Sequence, residues 1–325
     1  MSAAGALELP RLGFGAAQMG SLYRETTQEV ARTALEAAWE GGLRYYDTAP
    51  HYGMGLSERR LGAMLAARPR EEFLLSSKVG RLIRDNPGGG GGDDLAHGFA
   101  VSDATRRVWD MSAGGIRRSI EESLARMGLD RLDIALLHDP EEGPEEQAFD
   151  EALPALVALR EEGVVRAIGV GSKSDRALAR FAGTGALDLV MISGRYTLLE
   201  QPAARELLPL CARHGTRAIA VSVYNSGILS TEAPSKDATY EYGAAPGAVL
   251  ERAELLARLC REHGTSLPVA ATQFPLRHPV VANVTLGMRT AEQVASNIAR
   301  MQEPIPEELW EAVEALPPLE PADAH

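Results

Sequence analysis

Short apolar, β-branched segments alternate with longer amphipathic segments along most of this chain, and this alternation constrains the fold more than any other feature. Strands that alternate with helices in this way pair in parallel and are joined by right-handed crossovers. The predicted strands are 12–16, 44–48, 73–79, 132–138, 164–171, 187–193, 217–223 and 280–287. Eight strand–helix pairs without a change of composition or a flexible linker predict an α/β fold, a single (β/α)8 TIM barrel domain over residues 1–325.

Two loops, residues 80–112 and 225–246, are too long to be simple connections. Both follow predicted strands, so they lie at the C-terminal face of the barrel, where active sites of such barrels are found. The first contains the run PGGGGGDD, and five consecutive glycines make one fixed conformation entropically costly. We interpret both loops as a functional lid; a mobile surface insertion is the alternative.

Bulk composition restricts the partners and the compartment. The formal net charge of −12 argues against nucleic acid and anionic membranes as partners. Cys211 and Cys260 lie in helix-like segments without metal-ligand spacing, so no metal site is expected. There is no apolar run of bilayer length and no signal-peptide pattern. The expected protein is cytoplasmic, a monomer or homodimer, and acts on a small molecule.

Four polar side chains lie at or just after the ends of three consecutive predicted strands. Asp47 ends the second strand and Tyr52 follows it, Lys78 ends the third, and His138 ends the fourth. Each alone has a structural explanation, as a turn cap, a wall residue, a surface strand end or a hydrogen-bonded histidine. Because the carboxyl ends of barrel strands meet at one face, we expect the four to converge at one mouth.

The set suits carbonyl and alcohol chemistry. Hydride transfer to a carbonyl develops an alkoxide, which needs a proton donor and a nearby positive charge. Tyr52 is the expected donor, and a neighbouring ammonium of Lys78 favours its phenolate form. Asp47 would keep Lys78 charged and in place, and His138 would orient the substrate oxygen. In the reverse direction the tyrosinate takes the proton from an alcohol.

The motifs DTAPHYG, SSKVG and LLHDP carry these four residues, and with them the chain resembles the aldo-keto reductase family over essentially its full length. That family is a (β/α)8 barrel that uses NAD(P)(H) without a metal. The resemblance implies that Asp47, Tyr52, Lys78 and His138 are the catalytic tetrad. It also implies cofactor contacts from the residues at the matching positions, which are Ser172, Ser193, Tyr224, Gly287, Arg289, Gln293 and Asn297.

Several of these positions depart from the pattern of many members. Ser193 stands where a glutamine is common, and Tyr224 follows the position of the usual nicotinamide-stacking tyrosine, so either Tyr224 reaches the ring or no aromatic residue does. Gly287 replaces a lysine that many NADPH-specific members carry, whereas Arg289 is retained. NAD is therefore the favoured cofactor, with NADP as the alternative.

More narrowly, LGFGAAQMGSLYR, NPGGGGGDD and YNSGILS resemble the aldose 1-dehydrogenase branch. That branch includes D-threo-aldose (L-fucose) dehydrogenases and lies near the L-galactose and pyridoxal 4-dehydrogenases. The resemblance implies oxidation of a sugar to a lactone; a pyridoxal 4-dehydrogenase-like or general aldehyde reductase activity is the alternative. His51 and Trp109 are candidate substrate contacts, against a solvated turn histidine and a loop-packing tryptophan.

Two functions of other classes stay open at this point. A Schiff-base aldolase would use Lys78 as its nucleophile, but a partner such as Asp47 keeps the amine protonated. A non-catalytic nucleotide-binding subunit is the second, and an intact tetrad disfavours it.

Overall fold

The computed structural model describes residues 7–241 and 243–319. Within these residues the strands are β1 (Leu12–Gly15), β2 (Tyr45–Asp47), β3 (Leu74–Val79), β4 (Arg81–Asp85), β5 (Asp93–Asp94), β6 (Phe99–Ser102), β7 (Thr105–Trp109), β8 (Ile134–His138), β9 (Ala167–Ser172), β10 (Leu189–Ser193), β11 (Arg217–Val221), β12 (Thr239–Tyr240), β13 (Gly243–Ala244) and β14 (Val281–Gly287).

The helices in the same residues are α1 (Gln28–Glu40), α2 (Leu56–Leu65), α3 (Ala113–Met127), α4 (Glu145–Gln147), α5 (Leu153–Glu161), α6 (Asp175–Ala182), α7 (Leu207–His214), α8 (Gly247–Glu262), α9 (Leu267–Gln273), α10 (Ala291–Gln302) and α11 (Glu307–Glu314). A π-helical segment, Ala148–Ala152, joins α4 to α5. Single 3₁₀ turns occur at Ala16–Gly20, Arg70–Glu72, Leu95–His97, Pro140–Glu142, Pro202–Ala204, Asn225–Gly227 and Phe274–Arg277.

The described residues close into one parallel barrel in the order β1, β2, β3, β8, β9, β10, β11 and β14, with β14 paired back to β1. The predicted (β/α)8 barrel is confirmed. In this register Asp47 lies beside Gly15 on one side and Ser76 on the other, which places it at the C-terminal mouth. His138 pairs with Gly171 at the same edge.

Two apolar layers hold the barrel. Side chains such as Tyr45, Leu136 and Ile219 point inward and fill its interior, while the opposite faces of the strands pack beneath the helices. This division follows from the alternation of side chains along a strand. No helix of the described residues combines the length and the apolar character that a membrane span requires.

Side chains cap the starts of four of the described α-helices. Thr27 caps α1 by accepting a hydrogen bond from the Val30 amide at 3.3 Å, and Ser112, Ser174 and Thr290 cap α3, α6 and α10 in the same way. The segment from Pro202 differs: it begins as a 3₁₀ turn, and the α-helix α7 starts only at Leu207.

The loop of residues 80–112 is folded. It contains two antiparallel pairs: β4 pairs with β7, and β5 with β6. The glycine run lies beside β5, where Asp103 accepts hydrogen bonds from the amides of Gly90 and Gly92 at 2.7 and 3.0 Å. In the second loop β12 and β13 form a short antiparallel pair. Both loops therefore carry secondary structure that their composition did not predict.

Candidate active site

Asp47 and Lys78 form a buried ion pair at the ends of the adjacent strands β2 and β3, with Nζ 2.7 Å from Oδ2. The ammonium also donates to the Thr48 carbonyl at 3.2 Å, and Asp47 Oδ1 accepts from the Ser76 hydroxyl at 2.7 Å. Burial lowers the pKa of Lys78, but Asp47 and Tyr52 outweigh it, and the net pKa lies above the ordinary value. Lys78 is thus a fixed positive charge.

Tyr52 lies in the turn after β2, where it contacts Lys78 and His138, two of the other three members of the predicted tetrad. The centre of its ring is 5.0 Å from Lys78 Nζ and 5.8 Å from the centre of the His138 ring, which stands perpendicular to it. Burial raises the pKa of the Tyr52 phenol above its ordinary value, and the charge of Lys78 is the strongest effect that opposes the rise. The Lys78 ammonium lowers the pKa of Tyr52, as expected, but burial raises that pKa by more.

His138 is buried at the end of β8 and is neutral. Burial, followed by the nearby charges of Arg81 and other cations, holds the pKa of its imidazole well below the ordinary range. Nε2 lies 3.4 Å from Asp139 Oδ2, whereas the buried Nδ1 has no hydrogen-bond partner in the described residues. A carboxylate beside Nε2 favours the tautomer with its hydrogen there. We therefore assign His138 as a neutral N–H donor.

Asp139 and Arg81 complete a charged cluster that the sequence did not reveal. Arg81 Nη2 donates to Asp139 Oδ2 at 2.7 Å and to Glu142 Oε2 at 2.9 Å. Burial raises the pKa of Asp139 to about 7, although the Arg81 charge opposes the rise. The residue is also strained, with a left-handed backbone at φ 41°. Its position directly after His138 was the one available signal.

His51 lies against the tetrad and Trp109 beside the charged cluster. The His51 ring is edge-on to the His138 ring at 5.3 Å, and burial lowers the pKa of His51 to about 2. It is thus a neutral pocket-wall residue and not a solvated histidine. The Trp109 ring packs over the Arg81 guanidinium at 4.3 Å and against Gly143. A sugar contact from either side chain stays a prediction.

Three predicted cofactor residues lie at strand ends: Ser172 ends β9, Ser193 ends β10, and Tyr224 follows β11. The buried Ser172 hydroxyl donates to Glu141, and the Ser193 hydroxyl is 3.0 Å from that of Ser222. The Tyr224 hydroxyl donates to Asn297 Oδ1 at 2.8 Å and lies 2.8 Å from the Thr272 hydroxyl. Tyr224 is therefore held by α9 and α10. It lies with the predicted cofactor residues of segment 286–297, which is similar to the adenosine-phosphate clamp of the aldo-keto reductase pattern.

Gly287 and Arg289 lie at the end of β14 and just beyond it. The Arg289 guanidinium is buried and donates to the carbonyls of Leu22 and Arg24 at 2.6 and 3.1 Å, and to the Thr26 hydroxyl. These bonds join the clamp to the segment after β1. The guanidinium is therefore already engaged within the protein.

Gln293 and Asn297, the other clamp residues, are also bonded internally. Gln293 Oε1 accepts from the Arg289 amide at 2.7 Å. Asn297 is buried, and its Oδ1 accepts from Arg300 Nη1 at 3.1 Å as well as from Tyr224. The clamp is thus preorganised by its own hydrogen bonds, and its contact with a nucleotide stays a prediction.

Comparison with known proteins shows which family the chain belongs to. The model of the aldo/keto reductase family matches residues 11–317. The chain belongs to the aldo/keto reductase family. It is accordingly an oxidoreductase with a nicotinamide cofactor, which is the chemistry that the tetrad predicted.

Individual proteins similar to this aldo/keto reductase are also oxidoreductases. It is 49% identical to D-threo-aldose 1-dehydrogenase of a Pseudomonas species, over 95% of this chain and 94% of the relative. It is 33% identical to pyridoxal 4-dehydrogenase of Microbacterium luteolum, over 94% and 93% of the two chains. Among solved structures, an aldo-keto reductase of Bacillus halodurans superposes with a TM-score of 0.73 at 26% identity, covering 94% and 91%.

The mouth of this aldo/keto reductase fits a nicotinamide dinucleotide. The strands β10 and β11 lead into the small hydroxyl side chains of Ser193 and Ser222. At the end of β14, a Cβ on Gly287 would lie only 3.2 Å from Gln18 Nε2, and the buried Gln18 Oε1 has no hydrogen-bond partner in the described residues. A glycine and an unpaired buried acceptor thus lie where the cofactor is expected, and their contact with it stays a prediction.

The cluster around Asp139 gives this enzyme a predicted pH dependence. As the pH falls through about 7, Asp139 becomes protonated and no longer favours the Nε2 hydrogen of His138. We expect kcat/KM to fall with it, because kcat/KM reports ionisations of the free enzyme. In Asp139→Asn this inflection should be absent from the pH profile of kcat/KM.

Glu142→Gln is the matched variant for this prediction. The charge of Glu142 raises the pKa of Asp139, so its removal should move the inflection to lower pH without abolishing it. An unchanged inflection in Asp139→Asn would assign the ionisation to a different group.

Proposed function

We propose that this aldo/keto reductase is an NAD⁺-dependent aldose 1-dehydrogenase that oxidises the C1 hydroxyl of a D-threo-aldose such as L-fucose to the lactone. The substrate class is supported by the D-threo-aldose 1-dehydrogenase relative, which matches 95% of the chain. The observation that carries the mechanism is the position of Lys78 Nζ, 2.7 Å from Asp47 and 5.0 Å from the Tyr52 ring centre.

Each tetrad member has one role in this proposal. Tyr52 reacts in its phenolate form, which takes the proton of the C1 hydroxyl, and the charge of Lys78 favours that form against the effect of burial on the Tyr52 pKa. Asp47 keeps Lys78 charged and in place. The Nε2 of the neutral His138 contacts Asp139 at 3.4 Å without a hydrogen bond to it, so Nε2 can donate to the same substrate oxygen and orient C1. When bound, the nicotinamide cofactor supplies the acceptor for the hydride that leaves C1, and the substrate becomes a lactone.

The polar environment of Arg289 supports NAD over NADP. A 2′-phosphate needs a cationic side chain with free donors. The guanidinium of Arg289 is buried and donates to two backbone carbonyls and a hydroxyl. Gly287 brings no charge to this end of β14. We propose that Gly287, Arg289, Gln293 and Asn297, with Tyr224 bonded to Asn297, shape the nucleotide end of the site, while Ser172 and Ser193 line the rest.

The proposal also covers the domain organisation, the oligomeric state, the location and the partners of the protein. The whole chain, residues 1–325, works as a single domain, as a monomer or homodimer in the cytoplasm, with a small-molecule substrate and no nucleic-acid or membrane partner. The net charge of −12 and the two buried free cysteines support this.

A substrate panel tests the proposal. Purified protein is given L-fucose, other aldoses and pyridoxine-type alcohols, each with NAD⁺ and with NADP⁺, and the absorbance of reduced nicotinamide is followed. We expect the highest kcat/KM with L-fucose or a related D-threo-aldose and NAD⁺, and a lactone as the product.

The panel also separates the alternatives. Oxidation of the pyridoxine-type alcohols alone would favour a pyridoxal 4-dehydrogenase activity. Nucleotide binding without any turnover would indicate a non-catalytic subunit. Borohydride trapping of a carbonyl substrate on Lys78 would indicate a Schiff-base aldolase, which the raised pKa of Lys78 opposes.

A further inference from the structure

The segment of residues 80–112 places a buried ion pair beside the active site. Arg107 on β7 donates through two nitrogens to Asp94 on β5, at 2.8 and 2.5 Å. The two side chains are only 9% and 4% exposed. A buried ion pair gains little stability by itself, because desolvation offsets most of its attraction. The role of this ion pair is therefore better judged from its geometry and from the other hydrogen bond of Arg107 than from a gain in stability.

The third bond of this guanidinium reaches the catalytic turn. Arg107 Nη2 also donates to the carbonyl of His51 at 2.9 Å. His51 immediately precedes Tyr52, and the turn continues through Gly53, Met54 and Gly55, which all have positive φ. The backbone that carries Tyr52 is thus held from the side by a residue 56 positions away in the chain.

An aromatic side chain from the same segment supports the turn. The buried Phe99 on β6 lies edge-on to the His51 ring at 5.3 Å and beside the Tyr52 ring at 6.0 Å. Its strand is bonded to the segment after β1, where the Ala100 amide donates to the Ser21 carbonyl at 2.9 Å. The folded segment is therefore tied to the barrel mouth on two sides.

We propose that Arg107 is a positioning residue for the reaction: paired with Asp94, it holds the His51 carbonyl and so sets where the Tyr52 hydroxyl stands relative to Lys78 and His138. Phe99 backs the two rings in that position. This inference rests on the proposed role of Tyr52 as acid–base residue. It assigns the inserted segment a fixed catalytic support in place of a mobile lid.

A purely structural role makes different predictions. If the ion pair only stabilised the insertion, its loss would lower the melting temperature and leave kcat unchanged below that temperature. If it positions Tyr52, kcat falls while nucleotide affinity is retained. A displacement of about 1 Å at a reacting group costs about 10²-fold in rate.

The test compares Arg107→Ala with Arg106→Ala, a matched control at the neighbouring, exposed position of the same strand. Both are assayed for kcat, KM and the dissociation constant of NAD⁺, at a temperature below both melting transitions. We expect Arg107→Ala to lose about 10–10²-fold in kcat relative to Arg106→Ala, with the NAD⁺ dissociation constant within about twofold.

Arg107→Lys keeps the charge but loses the planar fork that serves Asp94 and His51 together. It should fall between wild type and Arg107→Ala in kcat, and it decides the matter if Arg107→Ala does not fold. Equal kcat in Arg107→Lys, Arg106→Ala and wild type would overturn the inference. Tyr52→Phe is measured in parallel: full activity there would refute the proposed function instead.

Discussion

Replacing Tyr52 by phenylalanine is expected to lower turnover by about 10²–10⁴-fold, the usual contribution of a positioned acid–base group. The substitution keeps the ring, which packs against His138 and Phe99, and removes only the hydroxyl. Binding of NAD⁺ should therefore be retained. The measurement is kcat with L-fucose or the best substrate of the panel, together with nucleotide affinity from fluorescence quenching.

Tyr46→Phe is the control for this variant. Tyr46 lies on β2, the strand directly before the turn that carries Tyr52, but it faces the helices. Its hydroxyl donates to the Leu43 carbonyl at 2.9 Å. Removing it should cost about 1 kcal/mol of stability and leave kcat unchanged. Turnover of Tyr52→Phe equal to that of Tyr46→Phe would remove Tyr52 from the mechanism.

The barrel face that carries the candidate site could be predicted from sequence because it depends on the order of residues along the chain. Asp47, Lys78 and His138 end strands, and parallel topology alone brings strand ends to one edge. Their hydrogen-bond partners partly follow too, since Ser76 lies directly beside Asp47 in the barrel register. The barrel and the meeting of the four tetrad residues thus needed no knowledge of packing.

What could not be predicted depends on contacts distant in sequence. Arg107 reaches His51, and Arg289 reaches Leu22 and Arg24, through bonds that no spacing or periodicity encodes. The pKa of Tyr52 is a further example, because Lys78 lowers it but burial raises it more. Burial is a property of the packed fold, so the net direction was not available from the pairing of residue types.

Replacing Lys78 by methionine should lower turnover by about 10²–10³-fold, the scale for removing one preorganised charge from an active site. It should also move to higher pH the range over which kcat/KM rises as Tyr52 loses its proton. The sign follows from the site: Lys78 is the strongest effect that lowers the pKa of Tyr52, so without it that pKa rises. At any given pH below it, less phenolate is present.

The variant also leaves the Asp47 carboxylate buried without its cation, which should destabilise the fold by about 3–5 kcal/mol. Arg70→Met separates this effect from catalysis. It breaks another pair with a buried carboxylate, Arg70–Asp133 at 2.6 Å, near the N-terminal end of the same strand β3 and away from the mouth, and it leaves Asp133 with Arg166 at 3.4 Å. Both variants should unfold at lower temperature, but only Lys78→Met should lose turnover and shift the pH profile. An unshifted profile in Lys78→Met would mean that its ammonium does not act on Tyr52.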